Sequence, residues 1–313
     1  MEISFPALQS INDNVSLEFN SQLGAVPSRY RRFTQETNST GAGTIYPRMN
    51  MLPGLRPWTG DRVVNSLSLV TFQINNNLYE STVGVARTDL EDDQYGILAG
   101  AAGGLGEATG RLPDLLIAAL LKAGHTTIIY DGQNYFDTAH PDYTSAGSPT
   151  PNTTSPNFVA GGSTPWYLFD VSHVQKPMVY QRRRPFTLIP KFSMMDPQVF
   201  WNKEFEWGVD GRSNAGFGIW QYGFMSQQPL TVENLIAART QMAEYRRPDG
   251  APMGVRGDLL VTGSALYPTA KALAEDQQIP NTYSSTYVTG TTVGLYPNPA
   301  RGMFQAYEDE WLN

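Results

Sequence analysis

Two strand-like runs set back to back, Val63 to Ile74 and Tyr79 to Ala86, constrain this chain more than any other stretch of it. Between them lie Asn75, Asn76 and Asn77, a residue type that tolerates the positive φ of hairpin turns. The pattern predicts a long β-hairpin. A two-stranded ribbon is marginal by itself in water, so this one has to rest on something else, a neighbouring subunit included.

The rest of the chain mixes both periods. Leu8, Ile11, Val15, Phe19 and Leu23 recur at helical spacing on a segment with little drive to fold alone, which predicts an amphipathic arm that needs a partner surface. Pro47 to Gly60, with Trp58 inside it, reads as irregular extended chain. Thr88 and Glu91 stand at capping-box spacing, and Asp89, Asp92 and Asp93 put negative charge at the positive end of a helix dipole. That helix is expected to run to about Gly110, with a bend or a close backbone contact at Gly100 to Gly106. Pro113 then suits the first turn of a second helical piece, Asp114 to Lys122, closed by Gly124.

The Ser, Thr, Pro, Asn and Gly tract from Ser145 to Ser163 reads as an exposed, mobile loop. Strands are expected at Trp166 to Val171, Met178 to Gln181, Phe186 to Phe192, Val199 to Val209, Phe217 to Met225 and Leu259 to Thr262. Helices are expected from Thr231 to about Arg246 and from Ser264 to about Asp276. Both kinds of element without regular alternation indicate an α+β fold.

At 313 residues the chain can bury a sizeable core, as one large domain or two interleaved ones. Only 16% of residues are charged, against roughly a quarter in ordinary soluble domains. An interface-rich subunit and a loop-rich protein both fit that surface. A net charge of −7 argues against gripping phosphate backbone, although a shell that merely encloses nucleic acid stays open. The absence of cysteine removes disulfides and thiolate sites. Met1 to Ser10 carries no secretory pattern, and the apolar stretch Leu115 to Leu121 is too short to span a bilayer, so a soluble protein without a membrane partner is expected.

The most enzyme-like cluster is Asp131, Asp137, His140 and Asp142, whose carboxylates and imidazole would suit a metal-assisted hydrolase. Against it, Asp131-Gly132 is a turn dipeptide, His140-Pro141 an extended one, and no spacing matches a metal-ligand motif. Gly104, Gly106 and Gly110 follow a helix instead of a strand, so helix packing outweighs a dinucleotide loop. Ser264 reads as an N-cap, not a nucleophile, and His125 and His173 stand alone. Arg182, Arg183 and Arg184 with Lys176 could meet phosphate, but alternating strand side chains split them between faces, which favours ion pairs to a neighbour. Phe200, Trp201, Phe205, Trp207, Phe217, Trp220 and Tyr222 are expected in the core or a subunit interface, not as a base-stacking platform. No catalytic residue, metal ligand or cofactor is expected.

Several longer motifs carry a resemblance. Tyr79-Glu80-Ser81-Thr82-Val83-Gly84-Val85-Ala86-Arg87, followed by Asp89, Glu91-Asp92-Asp93 and Gly96-Ile97, is similar to a stretch of the major head subunit of Mu-like tailed phages. Tyr130 to Asp137 with His140-Pro141, Pro165 to Asp170 with Lys176-Pro177, Arg182 to Pro185, and Gly216 to Gln221 continue the match in the same order. The segment after about Gln278 finds no place in it.

The resemblance implies an HK97-type capsid fold. Residues 1–59 would form the N-terminal arm, 60–87 the extended loop, 88–228 a peripheral domain with a spine helix over 88–123, and 229–313 an axial domain with the C-terminal segment. It implies a major capsid protein whose hexamers and pentamers close into an icosahedral head around double-stranded DNA. A portal would be its partner, the need for scaffold, protease or decoration proteins stays open, and the virion would be its location after assembly in the bacterial cytoplasm. An encapsulin-like compartment is the alternative within the same fold. Some relatives weld subunits through a lysine of the extended loop; no lysine lies between Trp58 and Arg87, so no such cross-link is expected. With Met1 at the start, no removed scaffolding segment is expected.

Overall fold

The helical spacing of Leu8, Val15 and Phe19 produces a helix, α1 (Phe5–Ala25), that buries those three side chains. In this computed structural model residues 5–47, 71–92, 97–280, 283 and 294–313 are described. After α1 come β1 (Thr34–Asn38), β2 (Gly43–Pro47), β3 (Thr71–Asn75), β4 (Asn77–Ala86), α2 (Arg87–Glu91) and α3 (Ile97–Lys122). Next are β5 (His140–Asp142), β6 (Thr153–Ser155), β7 (Phe158–Val159), β8 (Trp166–Phe169), β9 (Met178–Lys191), α4 (Pro197–Asn202), β10 (Glu204–Phe217) and β11 (Gly223–Ser226). The chain ends through α5 (Val232–Ala243), β12 (Leu259–Thr262), α6 (Tyr267–Glu275), β13 (Gln278–Pro280), β14 (Leu295–Pro297) and β15 (Gln305–Glu308). Among the described residues no helix is long and apolar enough to cross a membrane.

Two sheets organise these elements. A four-stranded sheet in the order β1-β9-β10-β4 is antiparallel except for β1, which runs parallel to β9. Strict alternation along β10 turns Phe205, Trp207 and Val209 inward, where they meet α1 and the first half of α3. A five-stranded sheet in the order β15-β12-β8-β11-β7 forms the second core. Its strands β8, β11 and β12 are buried at every position, which is why they read as continuous apolar runs. This sheet unites residues 158–169 and 223–226 with 259–262 and 305–308, so a boundary at 228/229 cuts through it, and the tail finds its place on its edge.

Helix α3 spans both cores. Its first half gives Leu98, Ala102 and Leu105 to the cluster around α1, and its second half gives Ile117 and Leu121 to the larger core. It continues through Gly100 to Gly106 and carries Pro113 inside, instead of breaking into two pieces. Gly106 serves close approach: a Cβ there would lie 2.3 Å from the Phe19 carbonyl oxygen of α1, whereas Gly100 and Gly104 face open space. The surface that the arm requires is therefore supplied by this chain itself.

The hairpin expected at Asn75 to Asn77 does not form. Strand β3 pairs with β2 and β4 pairs with β10, so the ribbon joins 43–47 to 71–75, and Asn76 alone links two sheets. Lys203 is the one non-glycine residue with positive φ among the described residues, so no asparagine takes the left-handed turn conformation. Asn76 is a corner instead: its amide donates to Ser39 Oγ and Gly41 O, and its Oδ1 accepts from Gln181 Nε2 at 2.7 Å. Residues 48–70, with the Pro-rich stretch and most of the first strand-like run, lie outside the described residues.

Other expectations shift for local reasons. Helix α2 starts at Arg87 with Ala86 as an uncapped N-cap, so Thr88 is not a cap; an Arg87–Glu91 ion pair at 2.9 Å holds the turn instead. The two runs around Arg182 to Arg184 merge into the single strand β9. Val199 to Asn202 is helical, because Pro197 starts a turn of helix and Lys203 ends it at φ 56°. The polar tract after Ser145 contains β6 and β7 and is not simply loop. Ser264 is not an N-cap; α6 opens at Tyr267, and Ser264 N–H donates to Asn313 Oδ1 at 2.8 Å.

Candidate functional site: buried polar joints

The base of the β2–β3 ribbon is fixed to the four-stranded sheet by one fully buried side chain, Gln181. Its Nε2 donates to Asn76 Oδ1 and to Ile74 O at 3.1 Å, and its Oε1 accepts from Tyr46 OH at 2.9 Å. Tyr46 stacks on Phe72 across the ribbon, with ring centroids 5.2 Å apart. The base of the ribbon is thus tied to the sheet by a connected set of hydrogen bonds.

Of the suspected chemical cluster, the structure brings together only Asp131 and His140. His140 is fully buried, stacks on Trp220 at 4.2 Å, and its Nδ1 donates to Asp131 Oδ2 at 2.7 Å. Its Nε2 faces Tyr135 O at 3.3 Å, so both ring nitrogens are covered by atoms of this chain. Asp137 accepts from the Thr138 and Ala139 backbone N–H groups, and Asp142 from Ser155 Oγ and Arg246 N. Among the described residues no three His, Asp or Glu side chains converge as a metal would require. The arrangement locks loops together and offers no ring nitrogen to a substrate.

Two residues of the basic run have partners within the chain: Arg184 pairs with Asp210 on β10, and Arg183 donates to Ser39 O at 3.3 Å. Five of the seven singled-out aromatics are buried: Phe205, Trp207, Phe217, Trp220 and Tyr222. Phe200 and Trp201 are 70% and 77% exposed on α4.

Two buried polar joints left no sequence signal beyond their residue type. Asn157, fully buried inside the polar tract, accepts from Asp137 N at 2.8 Å and donates to the carbonyls of Tyr135, Trp220 and Gly223. The second joins the exit of the arm, α3 and the C-terminal segment. Asp114, just after Pro113, accepts from the Arg29 and Tyr30 N–H groups at 2.9 and 2.8 Å, while Asp309 accepts from Trp311 N at 3.0 Å. Tyr307 OH donates to Arg29 O at 2.9 Å, and Lys122 Nζ reaches Asn313 O at 2.8 Å.

Burial raises the pKa of both carboxyls. Asp309 is pushed up to about 6 by burial, with added repulsion from Asp114 and Glu310, against the Trp311 N–H bond and the Arg29 charge. A value raised on folding means that the contribution is full below about pH 4, the unfolded value, and is lost as pH rises through about 6. The C-terminal segment should therefore hold more tightly at pH 5 than at pH 8. Hydrogen exchange at Trp311 and Leu312 checks this; Asp309→Asn should weaken the pH dependence of protection across that window, and unchanged protection in the parent would contradict it.

The model of the Mu-like prophage major head subunit gpT family matches residues 8–296. The chain is 32% identical over 259 residues to the major capsid protein of Escherichia phage Mu, covering 82% of this chain and 85% of that one. It is 34% identical over 262 residues, with the same coverages, to the major head subunit of the Mu-like prophage FluMu of Haemophilus influenzae. Among solved structures, a chain of the bacteriophage JBD30 procapsid is 36% identical with a TM-score of 0.77, covering 91% of this chain and 96% of that one. A chain of the JBD30 capsid, 26% identical, covers all of both chains with a TM-score of 0.76.

Proposed function

The chain belongs to the Mu-like prophage major head subunit family, and on that premise we propose that many copies of it close into the icosahedral head of a tailed phage around double-stranded DNA. The observation that carries this is the likeness of fold, over nearly the whole chain, to subunits of assembled phage heads. A charged-residue share of only 16% and a net charge of −7 suit a container that contacts its own copies widely and its cargo loosely.

In that assembly α1 serves as the arm, the ribbon based on β2 and β3 as the extended loop, α3 with the four-stranded sheet as the peripheral domain, and the five-stranded sheet with α5 and α6 as the axial domain. Hexamers and pentamers place one subunit in slightly different surroundings. The long lever of α3, anchored in both cores, transmits such differences as rigid shifts of one core against the other. Assembly takes place in the host cytoplasm with a portal as partner, and no catalysis is assigned to this chain.

Nuclease treatment of particles from phage-producing cells tests the cargo. Protected double-stranded DNA is the expected result. Particles that enclose protein and exclude DNA would instead indicate a cellular compartment built on the same fold.

A further inference from the structure

We infer that the crossover between β8 and β9 is a proton-sensitive clamp between the two sheets, closed when His173 takes a proton beside the buried Asp170. The chain passes from the five-stranded sheet to the four-stranded one through residues 170–177, and returns through 218–222. The two crossovers run side by side and are bonded to each other. Asp170 N–H donates to Tyr222 O at 3.0 Å, and Gly218 N–H to Pro177 O at 2.9 Å. A Cβ on Gly218 would lie 2.5 Å from Lys176 O, so the two backbones are in direct contact. A group that tightens or loosens this contact acts on the join between the cores.

His173 stands alone along the sequence but not in the fold. Its ring lies flat on Tyr222, with centroids 4.6 Å apart and planes at 9°. Its Nε2 lies 3.5 Å from Asp170 Oδ2, is closed to solvent and completes no hydrogen bond among the described residues. Asp170 is fully buried, and it accepts from Ser172 N–H at 2.9 Å, from Ser172 Oγ at 2.6 Å and from Arg256 N–H. With 32% of its side chain exposed, His173 can exchange protons with water.

Charge decides what a proton does here. Asp258 accepts from Val171 N–H at 3.1 Å, and burial raises the pKa of its carboxyl, with the charge of Asp170 adding to the rise. Lys176 is the cation that opposes them, with its Nζ donating to Val171 O, while the Arg256 side chain is exposed. Two carboxyl groups therefore face one ammonium. Tyr222 adds no charge, because burial, and then the Asp170 charge, pushes its phenol up to about 12. Imidazole is the side chain that gains its charge between pH 5 and 8. A proton on His173 supplies positive charge beside the one nitrogen that lacks a bond, and turns a 3.5 Å contact into a charge-assisted hydrogen bond. An imidazole that gains a carboxylate partner on folding adds its hold on the acid side and loses it as pH rises through that range.

His173→Phe keeps a ring on Tyr222 and removes the nitrogen, so it separates the proton from the stack. Hydrogen exchange of the full chain is followed at pH 5 and pH 8, corrected for the intrinsic pH dependence of exchange, at the amides of Asp170, Val171 and Gly218. In the parent, opening of the crossover is expected to be at least ~3-fold rarer at pH 5. In His173→Phe the two pH values should give equal opening. His173→Gln, which keeps a neutral donor, should do the same and serves if the phenylalanine variant does not fold. The pH dependence at Trp311, which belongs to Asp309, should persist in both variants and keeps the two effects apart. Equal opening at both pH values in the parent overturns the clamp, and so does a parent-like difference that survives in a folded variant.

Discussion

Replacing Gly106 by alanine is expected to loosen the arm from the body of the subunit, whereas the same change two residues earlier, Gly104→Ala, should stabilise the protein. Both positions lie inside α3, where alanine is favoured over glycine by about 1 kcal/mol. At Gly104 nothing stands within 4 Å of the added methyl, so the propensity gain should appear nearly whole. At Gly106 the methyl would sit 2.3 Å from the Phe19 oxygen and 3.1 Å from the Phe19 carbonyl carbon. Both are backbone atoms that no rotamer change removes, so α1 has to move as a body. Forcing atoms into a packed interface typically costs about 1–3 kcal/mol, and backbone contact belongs at the upper end, so the net change is a loss of roughly 2 kcal/mol. Thermal unfolding of the two variants should shift in opposite directions, and amides of Phe5–Ala25 should exchange faster only in Gly106→Ala. Equal shifts would show that the two helices are not packed as described.

The second large effect is expected at Asn157→Asp, a change of one atom group with almost no change in volume. The amide nitrogen of Asn157 faces three backbone carbonyls in a site with no solvent access. A carboxylate there only accepts, so its charge would stand against three acceptors with one donor, Asp137 N–H, remaining. A buried charge without a partner costs about 3–5 kcal/mol. The new acid escapes by holding its proton, which raises its folded pKa, so the defect should be mild at pH 5 and severe at pH 8. The difference in melting midpoint between variant and parent, taken at both pH values, checks it. A variant as stable as the parent at pH 8 would mean that Asn157 does not join these loops.

Both residues show where the sequence is legible and where it is not. Elements fixed by their own local pattern are readable: Leu259 to Thr262 is a buried strand as its apolar run implies, and Thr231 caps α5 by accepting from Asn234 N–H. Gly106 and Gly110 of α3 announce close packing without saying against what, and nothing local separates them from Gly104, which packs against nothing. Asn75 to Asn77 misleads because asparagine serves both a turn and a hydrogen-bonding corner; only the partners of Asn76, decades of residues away in Ser39 and Gln181, decide between them. Val199 and Trp201 fit strand alternation by chance, and the Pro197 start with the left-handed Lys203 stop outweighs it. Asp131 and His140 were visible as candidates, but their burial and mutual bond, which turn them from chemistry to structure, depend on the Trp220 ring brought in from another part of the chain. Asp114 and Asp309 are legible only as acids; what makes them a joint is the long-range meeting of the arm exit with the C-terminal segment.

The central claim is that this chain is built to close a shell with copies of itself, and electron microscopy of the purified protein, with mass analysis of the same sample, tests it most directly. Closed icosahedral particles, or rings of five and six subunits with the two-core subunit at their repeat, are the expected result. A protein that stays monomeric or dimeric under all assembly conditions would contradict it.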